Sequence, residues 1–185
     1  MATQPDECSL EETARDQAFG AALFLPFVVA RLRGSEDPEI AEALLSVRLQ
    51  NIPEGSNNLT QRRMLRLRWN PGSVPTHPFG VQERTITEWA ACGVACAVVA
   101  RYGAGLRIRT VASEGDRFDY WVDNGNEDRG LEVSGTMTAD VEARHQAKVR
   151  QLLANPYGVD GYVVVVGFAT REVIFSFHRF LGEQP

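Results

Sequence analysis

Lysine is almost absent from this chain: Lys148 is the only lysine among 185 residues, and the other 18 basic side chains are arginines. Arginine keeps its proton under all ordinary conditions, whereas the pKa of a lysine shifts readily on burial. A site that needs a tunable cation beside a metal-bound water therefore has one candidate. The alternative is a composition biased toward arginine, in which a single lysine falls at Lys148 by chance.

Cysteine and histidine are also scarce. Three cysteines form an odd set without a disulfide framework, which predicts free thiols in a reducing compartment and a cytoplasmic location. Cys92 and Cys96 lie one helical turn apart with no histidine nearby, so we expect core packing and not a zinc site. The histidines at positions 77, 145 and 178 show no metal-ligand spacing.

Long uninterrupted hydrophobic runs are missing. The most apolar segment of the first half, within Ala14 to Arg33, is interrupted at Pro26 and is too short to predict a membrane span. It also lacks the basic start and the cleavage pattern of a signal peptide. We therefore expect no membrane association and interpret the segment as a helix buried against the rest of the chain or against a partner subunit.

Positive charge is in deficit, with a net charge of −5. Because binding to the nucleic-acid backbone depends on lysine and arginine contacts to phosphates, this balance argues against a dedicated nonspecific DNA-coating protein. The best candidates for phosphate contacts are clustered arginines near the middle of the chain, at Arg62, Arg63, Arg66 and Arg68. The alternative for this cluster is an ordinary solvated strand face.

Two acidic residues lie on neighbouring predicted strands. Alternation of apolar and polar residues predicts one strand around Asp119 and a second around Glu132. Asn124-Gly125 between them is a strong tight-turn dipeptide, so the strands should run antiparallel and bring the two carboxylates together. Two converging carboxylates repel each other unless a cation sits between them, and magnesium prefers oxygen ligands. Asp116 and Asp123 flank Asp119 as alternative ligands.

Lys148 follows on a predicted helix from Thr138 to about Ala154, with Thr138 as its N-cap. Helical spacing puts Lys148 on one face with Val141, His145 and Leu152, at the border of the apolar stripe. From there the ammonium group can reach the edge of the sheet where the carboxylates lie. The alternative is that the lysine stem only covers apolar surface. We expect His145 to be a hydrogen-bonded boundary residue.

This arrangement resembles the PD-(D/E)xK nuclease superfamily, which has the restriction-endonuclease-like fold. The resemblance is carried by Glu88 on a preceding helix, Asp119 after Gly-Asp-Arg-Phe, Glu132-Val-Ser134 on the next strand, and the following helix. It implies Asp119, Glu132 and Glu88 as ligands of Mg²⁺ or Mn²⁺. The family normally has lysine where this chain has Ser134, and some members carry that lysine on the neighbouring helix, as Lys148 would. Glu88 is otherwise a solvated residue in the first turn of its helix.

The fold class that follows is α/β, with a central mixed β-sheet flanked by helices over residues 81–185. An alanine-rich run predicts a buried helix over Thr87–Tyr102, capped by Thr85 or Thr87 and stopped by Gly103. Strands are expected at Leu106–Thr110, around the two acidic residues, at Tyr162–Phe168 and at Glu172–Phe180. The Tyr162–Phe168 run is apolar throughout, which is typical of a strand covered on both faces.

Residues 1–80 are expected to form a mainly helical N-terminal extension. A second helix is predicted over Pro38–Gln50, with Ile40, Ala43, Leu44 and Val47 on one face. Met64–Trp69 alternates apolar and basic residues and is interpreted as a strand. The extension is the expected contact region for a protein partner or for a second copy of the chain.

Two functions of different classes are compatible with the sequence. The first is a metal-dependent endonuclease that hydrolyses phosphodiester bonds of nucleic acid, with Lys148 acting on the attacking water. DNA is the expected substrate. The second is a catalytically inactive subunit with a nuclease-like fold that binds or assembles within a larger nucleic-acid-processing or defence complex. Ser134 and the acidic net charge favour the second, and the single helical lysine favours the first.

Overall fold

The computed structural model describes residues 4–17, 20–33, 40–53, 60–74, 76 and 79–182. Eight strands form one mixed sheet in the order β1-β3-β2-β8-β7-β6-β5-β4. The strands are β1 Asp6–Ser9, β2 Glu42–Gln50, β3 Gln61–Arg68, β4 Arg107–Val111, β5 Tyr120–Asp123, β6 Asp128–Thr136, β7 Gly161–Gly167 and β8 Glu172–His178. The helices are α1 Leu10–Asp16, α2 Leu25–Arg33, α3 Glu83–Tyr102 and α4 Val141–Leu153, with a 3₁₀ turn at Ala21–Phe24. The α/β class with a central mixed sheet is confirmed.

The centre of the sheet is β7, every residue of which is buried. It pairs parallel with β6 on one side and antiparallel with β8 on the other. Its four consecutive valines suit a strand that is covered on both faces, because branched side chains pack well on a pleated surface. The strand predicted over Tyr162–Phe168 is thus confirmed within one residue of its bounds.

Helix α3 lies on one face of the sheet and is buried along most of its length. A side chain at Gly135 of β6 would collide with the backbone oxygen of Thr87, so this glycine allows the helix to approach β6 closely. Gly103 ends the helix as predicted. The predicted caps are wrong, because Gln82 precedes the first turn and both Thr85 and Thr87 lie inside the helix.

Helix α4 covers the opposite face and connects the parallel strands β6 and β7. The predicted N-cap at Thr138 is wrong: Asp140 caps the helix by accepting a hydrogen bond from the Ala143 N–H at 3.1 Å. Thr138 is instead held by Thr136, whose Oγ1 accepts its backbone N–H. Because a crossover helix packs back onto the strands it joins, residues on its inner face meet β6 and β7.

The helix predicted over Pro38–Gln50 is wrong. Pro38 lies outside the described residues, and residues 42–50 form strand β2. Ala43, Leu45 and Val47 alternate toward the core, a period of two that competes with the helical spacing in the same short segment. Strand β2 pairs antiparallel with β3, as well as parallel with β8.

The mainly helical N-terminal extension is therefore not confirmed. Three strands, β1, β2 and β3, accompany the helices of this region, and the pairing of β2 with β8 carries the sheet across residue 80 without a break. Helix α2 packs closely on α3, because Gly93 of α3 has no side chain. A side chain at that position would collide with Val28 of α2. Pro26 lies in the first turn of α2, where a missing N–H is tolerated. No helix in the described ranges has the length and apolarity to cross a membrane.

Candidate active site at the open edge of strand β6

The predicted hairpin between the two acidic residues is present. Strands β5 and β6 pair antiparallel, and Gly125 in the turn has a φ of 89°, the left-handed conformation that glycine adopts readily. The pairing of Tyr120 with Leu131 continues into a hydrogen bond from the Asp119 N–H to the Leu131 oxygen, at 3.0 Å. Asp119 consequently stands opposite Glu132, and side chains directly opposite each other share one face of a sheet.

Strand β6 has an open edge after Leu131, where its pairing with β5 ends. It is paired with β5 only over Asp128–Leu131, while β6 itself continues to Thr136. Asp119 Oδ2 accepts the Val133 N–H at 2.8 Å, so a carboxylate oxygen takes the place of the missing strand carbonyl. The carboxylate is thereby fixed at the point where the sheet splits open.

Glu132 is the most buried of the predicted site residues, with 0% of its surface exposed. The Lys148 ammonium donates a short hydrogen bond to Glu132 Oε1 and a second one, at 3.0 Å, to Gln151 Oε1. Glu132 Oε2 is buried and has no hydrogen-bond partner. We call Asp119, Glu132 and Lys148 the carboxylate cluster. The structure brings these three predicted residues together.

Burial dominates the electrostatics of the carboxylate cluster. It raises the pKa of Glu132 to about 8, with a further increase from the Asp119 charge and a decrease from Lys148. Burial also raises the pKa of Asp119, and the charge of Glu88 adds to that increase, while the Val133 N–H and Lys148 oppose it. Two carboxylates with raised pKa values in one place form a site that gains from an additional cation.

A cleft of about 510 Å³ opens beside the cluster, between α3 and α4. Asp119 and Lys148 line it, whereas Glu132 lies beneath its surface. Glu88 also lines the cleft, and its Oε1 accepts a hydrogen bond from Arg84 Nε at 2.8 Å. Glu88 therefore faces the predicted site from the α3 side and is already paired with an arginine one turn earlier.

Arg144 is a cleft residue that the sequence reasoning missed. Its guanidinium donates to Ser134 Oγ at 2.9 Å and to the Gly135 oxygen at 3.2 Å. A positive charge therefore adjoins Ser134, the position where the resembled family carries its lysine. The spacing of Arg144 and Lys148, four residues apart on one helix face, is the signal that would have identified it.

The residues present fit a hard divalent cation in one respect. The unpartnered Glu132 Oε2 is a buried acceptor beside a second carboxylate, and Mg²⁺ is commonly held by one or two carboxylates with water completing its shell. Within the described ranges, no three histidine, cysteine or acidic side chains converge as a metal-binding group. Glu88 as a third ligand stays a prediction.

The arginine cluster and the cysteines, of which Cys92 lines the cleft, are the remaining candidates. Arg66 and Arg68 form ion pairs with Glu7 and Glu42, which supports the interpretation of a solvated strand face. All three cysteines are free thiols, and burial raises the pKa of Cys92 to about 12, so it is a poor thiolate ligand.

A second polar group under α4 is the histidine cluster, His145, Ser176 and His178. Ser176 Oγ lies 2.7 Å from His145 Nε2 and 2.8 Å from His178 Nε2. Burial lowers the pKa of both histidines, that of His178 to about 4, so the histidine cluster is neutral at physiological pH. His145 is hydrogen-bonded as expected, but with 1% of its surface exposed it is a buried residue and not a boundary residue.

Comparisons of the chain with protein-family models, with curated proteins and with solved structures found no match.

Proposed function

We propose that this protein is a metal-dependent endonuclease that hydrolyses phosphodiester bonds of nucleic acid at the carboxylate cluster. The observation that carries the proposal is the convergence of Asp119 and the chain's single lysine on the buried Glu132, beside a cleft. A structural ion pair needs no second carboxylate with a raised pKa and no opening to solvent. Perturbed ionisable groups gathered at a cleft are typical of functional sites.

Asp119 and Glu132 would hold Mg²⁺ or Mn²⁺, and Glu88 would assist from α3. The bound ion would supply Lewis-acid polarisation of the phosphate and a lowered pKa of its water. Asp119 is suited to this role because the Val133 N–H fixes one of its oxygens. Glu132 is suited because its buried Oε2 lies beside the Asp119 carboxyl, with which it interacts, and a bound cation would take up that contact.

Lys148 would act on the attacking water. As a charged ammonium it orients the water by a hydrogen bond and stabilises the charge that develops on phosphorus-bound oxygen. After losing its proton it can instead accept one from the water as the new P–O bond forms and the ester P–O bond breaks. Gln151 holds the other side of the ammonium, which keeps it directed at the carboxylates.

The test is cleavage of labelled single- and double-stranded DNA and RNA by the purified protein with Mg²⁺ or Mn²⁺, with a chelator as control. Cleavage that requires the metal and is lost in Asp119→Ala supports the proposal. Asp116→Ala is the matched control, because Asp116 is a nearby alternative ligand that instead accepts hydrogen bonds from Ser113 and Tyr157. Cleavage by Asp119→Ala at the wild-type rate would contradict the assignment.

A second candidate is a catalytically inactive nuclease-fold subunit that binds or assembles within a larger complex. The ion pair between Lys148 and Glu132 favours it, since the ammonium already neutralises the carboxylate that a metal would need. Ser134 in place of the usual lysine of the resembled family favours it as well. In this case the protein would bind nucleic acid or a partner with the same affinity in the presence of a chelator, and no divalent metal would elicit cleavage.

A further inference from the structure

The wall of the cleft opposite the carboxylate cluster is apolar and aromatic. Leu23, Phe24 and Trp89 line it, with 72% of Leu23 and 44% of Trp89 exposed. Apolar side chains exposed singly are ordinary on a protein surface, whereas a contiguous group of them beside a polar site is typical of a binding site. The metal-ligand role proposed above leaves this wall unexplained.

Trp89 is held firmly in that wall. Its ring meets Phe27 edge-on with centroids 4.8 Å apart, and Phe24 edge-on at 6.4 Å. Phe27 is buried in the main core, so the tryptophan is braced from inside the protein while its remaining surface faces the cleft. A ring fixed in this way offers a flat apolar surface at little entropic cost to a ligand.

Cations line the same cleft from both of its helices. Arg84 lies on α3, and Arg144 and Lys148 lie on α4. Arg84 and Arg144 also border a second hollow of about 470 Å³ that continues along α4 toward Thr138. Arg84 pairs with Glu88 and Lys148 pairs with Glu132, whereas Arg144 is hydrogen-bonded to two uncharged groups, Ser134 Oγ and the Gly135 oxygen. A cleft that holds an aromatic ring together with arginine side chains matches the two halves of a nucleotide, its base and its phosphate.

We propose that Trp89 stacks on an unpaired base whose phosphate lies toward Arg84 and Arg144, so that the cleft selects single-stranded nucleic acid over duplex. Paired bases in a duplex present only their edges in the grooves, because both of their faces are stacked on neighbours. An unpaired base has a free face, and stacking on an aromatic side chain tolerates any sequence. This inference rests on the proposed function, for which it names the substrate class.

The test is binding of a fluorescently labelled single-stranded oligonucleotide and of the blunt duplex of the same sequence, with a chelator present so that no cleavage occurs. Wild type should bind the single strand more tightly. Trp89→Leu, which keeps an apolar side chain against Phe27, should weaken single-strand binding by roughly five- to hundredfold. Trp89→Phe, which keeps an aromatic ring, should retain much of the wild-type affinity. DNA and RNA strands serve as separate arms.

The matched control is Tyr157→Leu, which removes an exposed aromatic ring that does not line the cleft and should leave affinity unchanged. Equal binding of single strand and duplex, or unchanged affinity in Trp89→Leu, would overturn the inference even if metal-dependent cleavage is found. Trp89-dependent binding of the single strand without cleavage by any metal would support this inference and reject the catalytic proposal. A wall that binds neither form would reject nucleic acid as its occupant and leave a protein partner.

Discussion

Helix α4 covers two polar clusters on one face of the sheet, and they differ in what they do with charge. His145 and Lys148, three residues apart, reach β8 and β6 respectively. The histidine cluster is a neutral chain of hydrogen bonds through Ser176. The carboxylate cluster holds an ammonium and two carboxyl groups in a site where burial raises the carboxyl pKa values.

The comparison separates a structural polar cluster from a candidate active site. Burying a neutral, hydrogen-bonded group has a modest energetic cost, whereas burying charged groups is unfavourable unless they are paired. Each cluster has one buried atom without a partner, His145 Nδ1 and Glu132 Oε2. Only Glu132 Oε2 belongs to a carboxyl group that has a second carboxyl, that of Asp119, beside it at a cleft. The carboxylate cluster is therefore the candidate for binding a cation.

The largest expected difference between the clusters is in cleavage. Glu132→Gln keeps the shape of the side chain but removes a metal ligand, so metal-dependent cleavage should fall on the order of a thousandfold. Its free energy of unfolding should also fall, because Lys148 loses its carboxylate partner, so cleavage is compared per folded molecule. Single-turnover rates and denaturant unfolding measure the two effects.

The matched control for that substitution is Glu142→Gln, the same change on a half-exposed side chain of α4 that pairs with Arg48. Its cleavage rate should equal that of the wild type. A comparable loss of cleavage in both variants would show that the effect does not belong to the carboxylate cluster.

Lys148→Arg tests the role of the single lysine. It preserves the positive charge beside Glu132 but replaces a compact ammonium with a planar group that keeps its proton, so cleavage should fall by roughly 10²- to 10⁴-fold while the fold survives. The reciprocal change Arg150→Lys, on an exposed position of the same helix, should have no effect. Cleavage by Lys148→Arg at the wild-type rate would exclude proton transfer by this residue.

Ser176→Ala tests whether the histidine cluster contributes to stability and not to cleavage. Removing the hydroxyl leaves two imidazole nitrogens without their shared partner, so the free energy of unfolding should fall by about 1–3 kcal/mol. Cleavage per folded molecule should be unchanged. Denaturant unfolding and cleavage assays below the unfolding transition measure the two. A stable Ser176→Ala variant with lost cleavage would make the histidine cluster part of the active site.

The two clusters should respond to pH with opposite signs. The pKa of His178 is lowered to about 4 from an ordinary value near 6.5, so stability is lost as pH falls through that window, because the unfolded chain binds the extra proton. The pKa of Glu132 is raised to about 8 from 4.5, so its contribution is complete at low pH and is lost as pH rises toward 8.

One titrating group can change the free energy of unfolding by at most about 1.4 kcal/mol per pH unit, so each slope is shallow. Unfolding measured from pH 4 to pH 9 should show that Glu132→Gln removes the fall in stability between about pH 4.5 and pH 8. His178→Gln should remove the loss of stability between about pH 6.5 and pH 4. Metal affinity should rise with pH up to about 8, as Glu132 loses its proton. A metal affinity that is flat from pH 6 to pH 9 would argue against Glu132 as a ligand.

Three elements in the second half of the fold could be predicted from the sequence. The valine run of β7, the long alanine-rich α3 and the Asn-Gly turn have one interpretation each, and the structure agrees with all three. Residues 40–50 were misjudged because their apolar positions fit a period of 3.6 as well as a period of two, and the choice depends on β3 and β8, which are distant in the sequence.

The meeting of Asp119, Glu132 and Lys148 could be predicted because a hairpin and one crossover helix bring them together. Arg144 could have been found from its spacing with Lys148. Trp89 and the apolar wall could not, since they join the cleft only through the packing of α2 and the 3₁₀ turn on α3. Burial of Glu132 under α4 is likewise a tertiary effect, and it sets the pKa on which the proposed chemistry depends.

The most direct test of the carboxylate cluster as a metal centre is the anomalous X-ray signal of crystals soaked in Mn²⁺. We expect an ion within about 2.5 Å of one oxygen of Asp119 and of Glu132 Oε2, and no ion in crystals of Glu132→Gln. An ion-free cluster at saturating Mn²⁺, with Lys148 still bound to Glu132, would exclude a metal centre here and favour a subunit that binds without cleaving.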